Sequence, residues 1–305
     1  MIKKIISSVL LASVLFSLGS CGKSDDKSVS TSVQSEVTKE VASESSVSTD
    51  ENEEVETVLD NTKAYKILFI GNSYTYYNEM PEVIFKEISA AAGYDFTVKS
   101  ITKGGWDLIR SGSVDDEVGA LVDAELKETK YDFVVMQEQS TNPALDPGKF
   151  YDGARAVYQK IAENGATPIL YETWGRKTGH SVLEDNGLTN ETMTWKIAAA
   201  YEAIGAELGV DVANVGRAFY DVYTTNERLD IYADDLTHPS YTGSYLAAMT
   251  IFAEITGVDP TTINYKGERS GAAAKLLKEA ARKAVFETPA VPEEYKTSSV
   301  GVSSK

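Results

Sequence analysis

Five short apolar runs, separated by stretches of helical periodicity, constrain this chain more than any other feature. Tyr65–Ile70, Phe96–Ile101, Tyr131–Met136, Thr167–Tyr171 and Val210–Val215 are too short for helices and are rich in Ile, Val, Phe and Tyr. The most continuous of them, Tyr65–Ile70 and Tyr131–Met136, suit strands buried on both faces. Helices are expected over Pro81–Gly93, where Val83, Ile84, Ile88 and Ala91 recur at helical spacing, over Val118–Lys127, and over Tyr151–Ala162, with Ala154, Val157, Tyr158 and Ile161 on one face. Further helices are expected over Thr192–Leu208, Tyr241–Ile255 and Gly271–Phe286. This alternation predicts an α/β fold with a central parallel sheet of about five strands and helices on both faces. In such sheets the working site lies beyond the carboxyl ends of the strands.

The first sixty residues are of another kind. Lys3 and Lys4 precede an apolar run from Ile5 to Leu18, the layout of a secretory signal over residues 1–20 and too short for a membrane span. The run ends Leu18-Gly19-Ser20-Cys21, which resembles a bacterial lipobox. The resemblance implies that Cys21 becomes the lipidated first residue of the mature chain. The protein would then lie outside the cytoplasm, on the cell surface, held to the membrane by lipid alone. Cys21 is the only cysteine, so the domain has no internal disulfide and must rely on its core. Residues 21–62 are rich in Ser, Thr, Glu and Val without an aromatic, and are expected to form a disordered acidic tether. They carry 11 acids against 3 bases, a net of −8 within a whole-chain charge of −17. The folded domain, expected over 63–286, is therefore only moderately acidic, and the tail over 287–305 reads as polar and loose.

Several functions are disfavoured by what the chain lacks. Basic residues are not clustered, which argues against a nucleic-acid partner. No GxGxxG follows a strand and no GxxxxGK[ST] occurs, and two distant histidines with one cysteine make no zinc site of the usual kind. No cofactor and no metal are expected. The oligomeric state is not legible.

The strand ends hold the chemistry. They read Gly71-Asn72-Ser73, Gly104-Gly105-Trp106, Gln137-Glu138-Gln139-Ser140 and Glu172-Thr173-Trp174. A serine hydroxyl needs an adjacent base to become a nucleophile, and histidine is the usual one. His180 sits in the polar stretch GRKTGHSVLEDNG and is expected to be an exposed loop residue. His238 sits in Asp235-Leu236-Thr237-His238-Pro239-Ser240. An acid three residues upstream can fold back on a turn and accept from Nδ1, leaving Nε2 to face a serine.

These blocks, Gly71-Asn72-Ser73 after the first strand and Asp235-x-x-His238 near the end, resemble those of the SGNH (GDSL-like) hydrolases over roughly residues 65–257. The resemblance implies a flavodoxin-like three-layer α/β/α fold and ester hydrolysis through an acyl-enzyme. It implies Ser73 as nucleophile, His238 as base and Asp235 as its orienter. It also implies an oxyanion hole from the Ser73 amide, a glycine after the second strand and an asparagine after the third. The glycine maps to Gly105, with Gly104 less favoured. The asparagine is replaced: Gln139 takes its place, and Gln137 is the other candidate. Asn72 stands where the family usually has Asp, and Tyr74 where Leu is common. Tyr74, Tyr76, Tyr77, Trp106 and Trp174 all follow strands and are expected to ring the pocket and stack on sugar faces, with Asn72 and Gln137 as further lining. The expected substrate is a small-molecule or polysaccharide ester, such as an O-acetyl group on a carbohydrate. The competing expectation is a glycan- or ligand-binding lipoprotein on a degenerate, non-catalytic SGNH fold.

Overall fold

A computed structural model describes residues 58–296; Cys21, the signal, all but the last residues of the tether, and residues 297–305 lie outside the described residues. Five strands form one sheet: β1 Ala64–Gly71, β2 Asp95–Thr102, β3 Phe133–Met136, β4 Thr167–Tyr171 and β5 Asp211–Ala213. Their order is β2-β1-β3-β4-β5 and every pairing is parallel. The chain leaves β1 toward β2 on one side and returns to β3 on the other, so the crevice at the end of β1 is a topological switch point. Register aligns the strand ends there, with Ile70 opposite both Ile101 and Met136.

Helices cover both faces. In chain order they are α1 Ser73–Tyr76, α2 Lys86–Ala91 (entered through the wider-wound turns Met80–Phe85), α3 Leu108–Gly112, α4 Glu117–Glu128, α5 Asn142–Leu145, α6 Pro147–Asn164, α7 Ser181–Asp185, α8 Asn190–Leu208, α9 Val215–Thr225, α10 Tyr241–Thr256 and α11 Gly271–Arg282. The pleat of β1 divides its side chains between two cores. Ile67 and Phe69 pack with α2, α9, α10 and α11, while Leu68 and Ile70 pack with α3, α4, α6 and α8. This is the three-layer α/β/α arrangement expected from the sequence. Helix α9 is an addition: Val215, Ala218, Phe219 and Val222 bury one face at helical spacing, in a segment whose aromatic and β-branched residues favour strands when isolated.

The edges of the domain also differ from expectation. Leu59 N–H donates to Thr256 O at 2.8 Å and Tyr65 Oη donates to Asp60 O at 2.8 Å, so the residues just before β1 belong to the domain rather than to a tether. At the other end the segment expected to be loose is packed through Tyr295. Val291 is buried against Trp195, Ala198 and Ala199 of α8. The buried guanidinium of Arg217 lies 3.3 Å from Glu172 and 2.8 Å from Glu202, and donates to Pro289 O at 2.9 Å. Deleting residues 287–305 is therefore expected to lower stability by about 2–3 kcal/mol, from one buried valine and one charge-assisted hydrogen bond, measured by urea denaturation. A loose tail would leave the transition midpoint unchanged.

Candidate active site

Gly71 ends β1 because no side chain fits there: a Cβ would lie 2.5 Å from Thr75 Oγ1 and 2.6 Å from Gln137 Oε1. The chain then turns sharply. Asn72 is extended and caps α1, its Oδ1 accepting from Tyr74 N–H at 3.1 Å. Its Nδ2 donates to Trp106 O at 2.9 Å, which ties the end of β1 to the loop after β2. Gln137 Oε1 accepts from Asn72 N–H at 2.9 Å and from Thr75 Oγ1 at 2.8 Å. Ser73 is thus the first residue of a short helix whose entry is clamped from two neighbouring strand ends.

The second half of the site is a turn that runs against backbone preference. Leu236 has φ +63°, an uncommon conformation for a side chain of its size. Its N–H donates to Ala233 O and its carbonyl accepts from Lys177 N–H, each at 3.0 Å. The turn folds Asp235 back over the residues that follow. Asp235 Oδ1 accepts from the N–H groups of Thr237 at 3.1 Å and His238 at 2.9 Å, and Oδ2 lies 2.5 Å from His238 Nδ1. Burial pushes the Asp235 carboxyl up, but the ring and backbone donors outweigh it and hold it below the usual range. An ionised partner places the proton on Nδ1 and leaves the Nε2 lone pair to accept from Ser73, whose Oγ lies 2.7 Å away. Tyr77 stacks on the imidazole with centroids 4.1 Å apart and planes 5° from parallel. Asn78, at φ +56°, fixes this ring by donating to Pro239 O at 3.1 Å and Ser244 Oγ at 2.8 Å.

Unused donors lie on the segments that follow β1, β2 and β3. Neither the Ser73 N–H nor the Gly105 N–H finds an acceptor among the described residues. Gly105 has φ +69°, which favours glycine, and the space beside it is open, whereas a Cβ on Gly104 would lie 3.2 Å from Tyr76 Oη. The two glutamines behave differently. Gln137 is buried and both ends of its amide are used, since Nε2 donates to Glu138 O. That removes it as an oxyanion donor and as pocket lining. Gln139 Oε1 accepts from Thr141 N–H at 2.8 Å, Thr141 Oγ1 at 2.7 Å and Asn142 N–H at 3.2 Å. Two of these donors are backbone amides, so the amide orientation is fixed, and Nε2 has no acceptor among the described residues.

The expected ring of sugar-stacking aromatics is corrected. Trp174 is fully buried and Tyr74 is 3 % exposed; Trp174 lies between Tyr74 at 4.2 Å and Phe219 at 4.0 Å, nearly parallel to both. Trp174 Nε1 donates to Thr237 O at 3.1 Å, so this stack props the His238 turn from beneath. Asn72 is likewise buried, with its polar atoms committed to the turn it caps. Trp106 is half-buried, with Lys103 Nζ 3.8 Å and Arg110 Cζ 4.1 Å from its ring centroid, and its Nε1 donates to Asp116 at 3.0 Å. Cations therefore occupy the ring that was expected to meet sugar. Tyr76 and Tyr77 are the aromatics left accessible from that set. His180 caps α7, its Nδ1 accepting from Val182 N–H at 3.1 Å, and is half-buried rather than exposed.

Two charged groups beside the site carry no motif. Arg176, five residues beyond β4, is buried and donates to Ser140 Oγ at 2.8 Å and to Tyr74 Oη. Glu138 is fully buried and accepts from Leu108 N–H at 3.1 Å, Gln139 N–H at 2.8 Å and Asn142 Nδ2 at 2.8 Å. Burial, partly offset by these donors, pushes its carboxyl up to about 7. The only sequence signal for either residue was nearness to a strand end.

The Glu138 shift has a sign that can be checked. Between about pH 4.5 and 7 the folded chain holds a proton that the unfolded chain has lost, so this group's stability contribution is full below 4.5 and fades as pH rises through 7. The loss is on the order of 3 kcal/mol. Denaturant titrations at pH 5 and pH 8 are expected to show a smaller difference in Glu138→Gln than in the parent. An unchanged difference would mean that the carboxyl is already ionised at the lower pH.

No family profile matches the chain. No curated protein sequence matches it either. Among solved structures, a DUF4886 family protein from Bacteroides uniformis superimposes with a TM-score of 0.65 over 76 % of this chain and 98 % of its own, at 20 % identity, which speaks for the fold alone. A protein from Slackia heliotrinireducens described as of SGNH hydrolase type superimposes with a TM-score of 0.56, at 30 % identity, over 63 % of this chain and 100 % of its own. Identity at that level over the whole of the second structure carries family as well as fold, and the chain belongs to the SGNH hydrolases.

Proposed function

We propose that this SGNH hydrolase is a serine esterase displayed outside the cytoplasm on a lipid anchor at Cys21, acting on an ester of a carbohydrate such as an O-acetyl group. One observation carries the chemistry: Ser73 Oγ, His238 Nε2, His238 Nδ1 and Asp235 Oδ2 form an unbroken line with contacts of 2.7 and 2.5 Å. In this reading Ser73 Oγ attacks the ester carbonyl while His238 Nε2 takes its proton. Asp235 stabilises the imidazolium and remains ionised. The oxyanion that forms accepts from the free N–H groups of Ser73 and Gly105 and from Gln139 Nε2. Collapse expels the alcohol, which takes the proton from Nε2. Water then attacks the acyl-serine with His238 again as base, releasing the acid and restoring the hydroxyl. The carbohydrate part of the reading is supported by the two accessible tyrosines, Tyr76 and Tyr77, beside the nucleophile.

Hydrolysis of 4-nitrophenyl acetate tests the chemistry. Ser73→Ala is expected to lower kcat by about 10³-fold or more. Equal rates would leave the non-catalytic binder as the better account. Gln139→Ala is expected to lower kcat by about 10²-fold with little change in KM, because the donor acts on charge that exists only in the transition state. A loss confined to KM would remove Gln139 from the oxyanion hole.

A further inference from the structure

Two arginines of the domain are buried, and they are treated differently. Arg217 is 2 % exposed and has carboxylates of Glu172 and Glu202 at 3.3 and 2.8 Å. Arg176 is 7 % exposed and has no ion-pair partner among the described residues. Its bonds go to two neutral hydroxyls, Tyr74 Oη and Ser140 Oγ, and its buried Nε–H has no acceptor. A guanidinium offers five N–H donors, so three remain unused. Taking a cation out of water without a counter-charge is among the more unfavourable arrangements in a protein interior. Two hydroxyls could be bridged by a neutral amide at far lower desolvation cost, so the charge itself needs an explanation.

The position supplies one. The Tyr74 ring lies 5.5 Å from the Arg176 guanidinium and 5.8 Å from the His238 ring, so one aromatic ring adjoins both the unpaired cation and the imidazole. Ser140, the other contact, directly follows Gln139. The neighbouring half-buried His180 feels the same charge: burial first, then Arg176, lowers its basicity, and Asp235 opposes them. The cation thus lies in the floor beside Ser73, bonded to the residue after Ser73 and to the residue after Gln139. Other cations near this edge have their acids: Lys103 pairs with Glu117, and Arg110 and Lys149 pair with Asp107 at 2.8 and 2.7 Å.

We infer that Arg176 is the counter-ion for an anionic oxygen group, a carboxylate or a sulfate, carried by the substrate beside its ester. The inference deepens the esterase reading and rests on it for the word substrate. An acidic sugar ester would place its acyl carbon at Ser73 and its anion against one edge of the guanidinium, in low-dielectric surroundings where a charge-assisted pair is strong.

Three ester substrates of one frame decide it: mono-O-acetylated methyl glucuronoside, the matching methyl glucoside 6-sulfate and the neutral methyl glucoside. The expected result for the parent protein is a kcat/KM at least about tenfold higher for one or both anionic esters than for the neutral one, carried mainly by KM. Which anion gains tells carboxylate from sulfate. In Arg176→Gln the ratio of anionic to neutral kcat/KM is expected to fall toward one. In Arg176→Lys it should be partly kept, because the charge survives and the fork does not. Equal kcat/KM on all three esters by the parent protein, with hydrolysis intact, overturns the inference and spares the esterase reading; this comparison needs no variant to fold. If no ester is hydrolysed the esterase reading falls, and calorimetric titration of the parent protein with methyl glucuronoside, methyl glucoside 6-sulfate and methyl glucoside then decides the anion site alone. Heat with an anion and none with the neutral sugar supports it, and equal heats overturn it.

Discussion

The hydrogen bond between Ser73 and His238 joins residues 165 positions apart, and the architecture around it serves to hold its two ends still. A hydroxyl–imidazole contact tolerates errors of only a few tenths of an ångström before it weakens. One end is fixed by the sheet. Parallel register brings the ends of β1, β2 and β3 to one level, and the Asn72 and Gln137 amides stitch those ends together so that the first turn of α1 has one available position. The other end is fixed by a turn that would not hold its shape alone. Leu236 sits in a disfavoured conformation, and such a conformation persists only where the surroundings over-determine it.

That over-determination comes from below. The flat stack of Tyr74, Trp174 and Phe219 runs from the residue after Ser73, through the loop after β4, to helix α9. It touches the base turn through the Trp174 indole and through the contact of Tyr74 with Thr237 at 2.7 Å. Ser73 and the His238 turn thus share one floor. Arg176 is woven into the same floor, which brings a charge close to the chemistry without touching the serine.

Much of this was legible in the chain. The runs mark the five strands: burial on both faces leaves a continuous apolar signature in β1, β3 and β4, while the edge strands β2 and β5 are largely half-buried or exposed. Asp235, at three residues from His238, is where a turn returns it to the ring. Other features depended on what lies opposite a residue, which a single sequence does not carry. Trp174 and Trp106 looked alike as strand-end tryptophans, yet the first is sealed by two rings and the second is faced by two cations. Gln137 and Gln139 looked interchangeable, and only their partners separate them. Helix α9 hid behind residues of low helix propensity, although its buried face kept the helical period. Val291 and Tyr295 are scattered nonpolar residues in a mostly polar tail, too little pattern to announce that this part of it packs.

The locked carboxamide of Gln139 bears on how this site can change over time. Its oxygen closes the loop from 139 to 142, while its nitrogen has no acceptor among the described residues. An asparagine could not simply be swapped in, because drawing the oxygen back by a methylene would release the Thr141 and Asn142 amides it gathers. The longer residue and its loop form one unit, and either can be changed only by rebuilding both together.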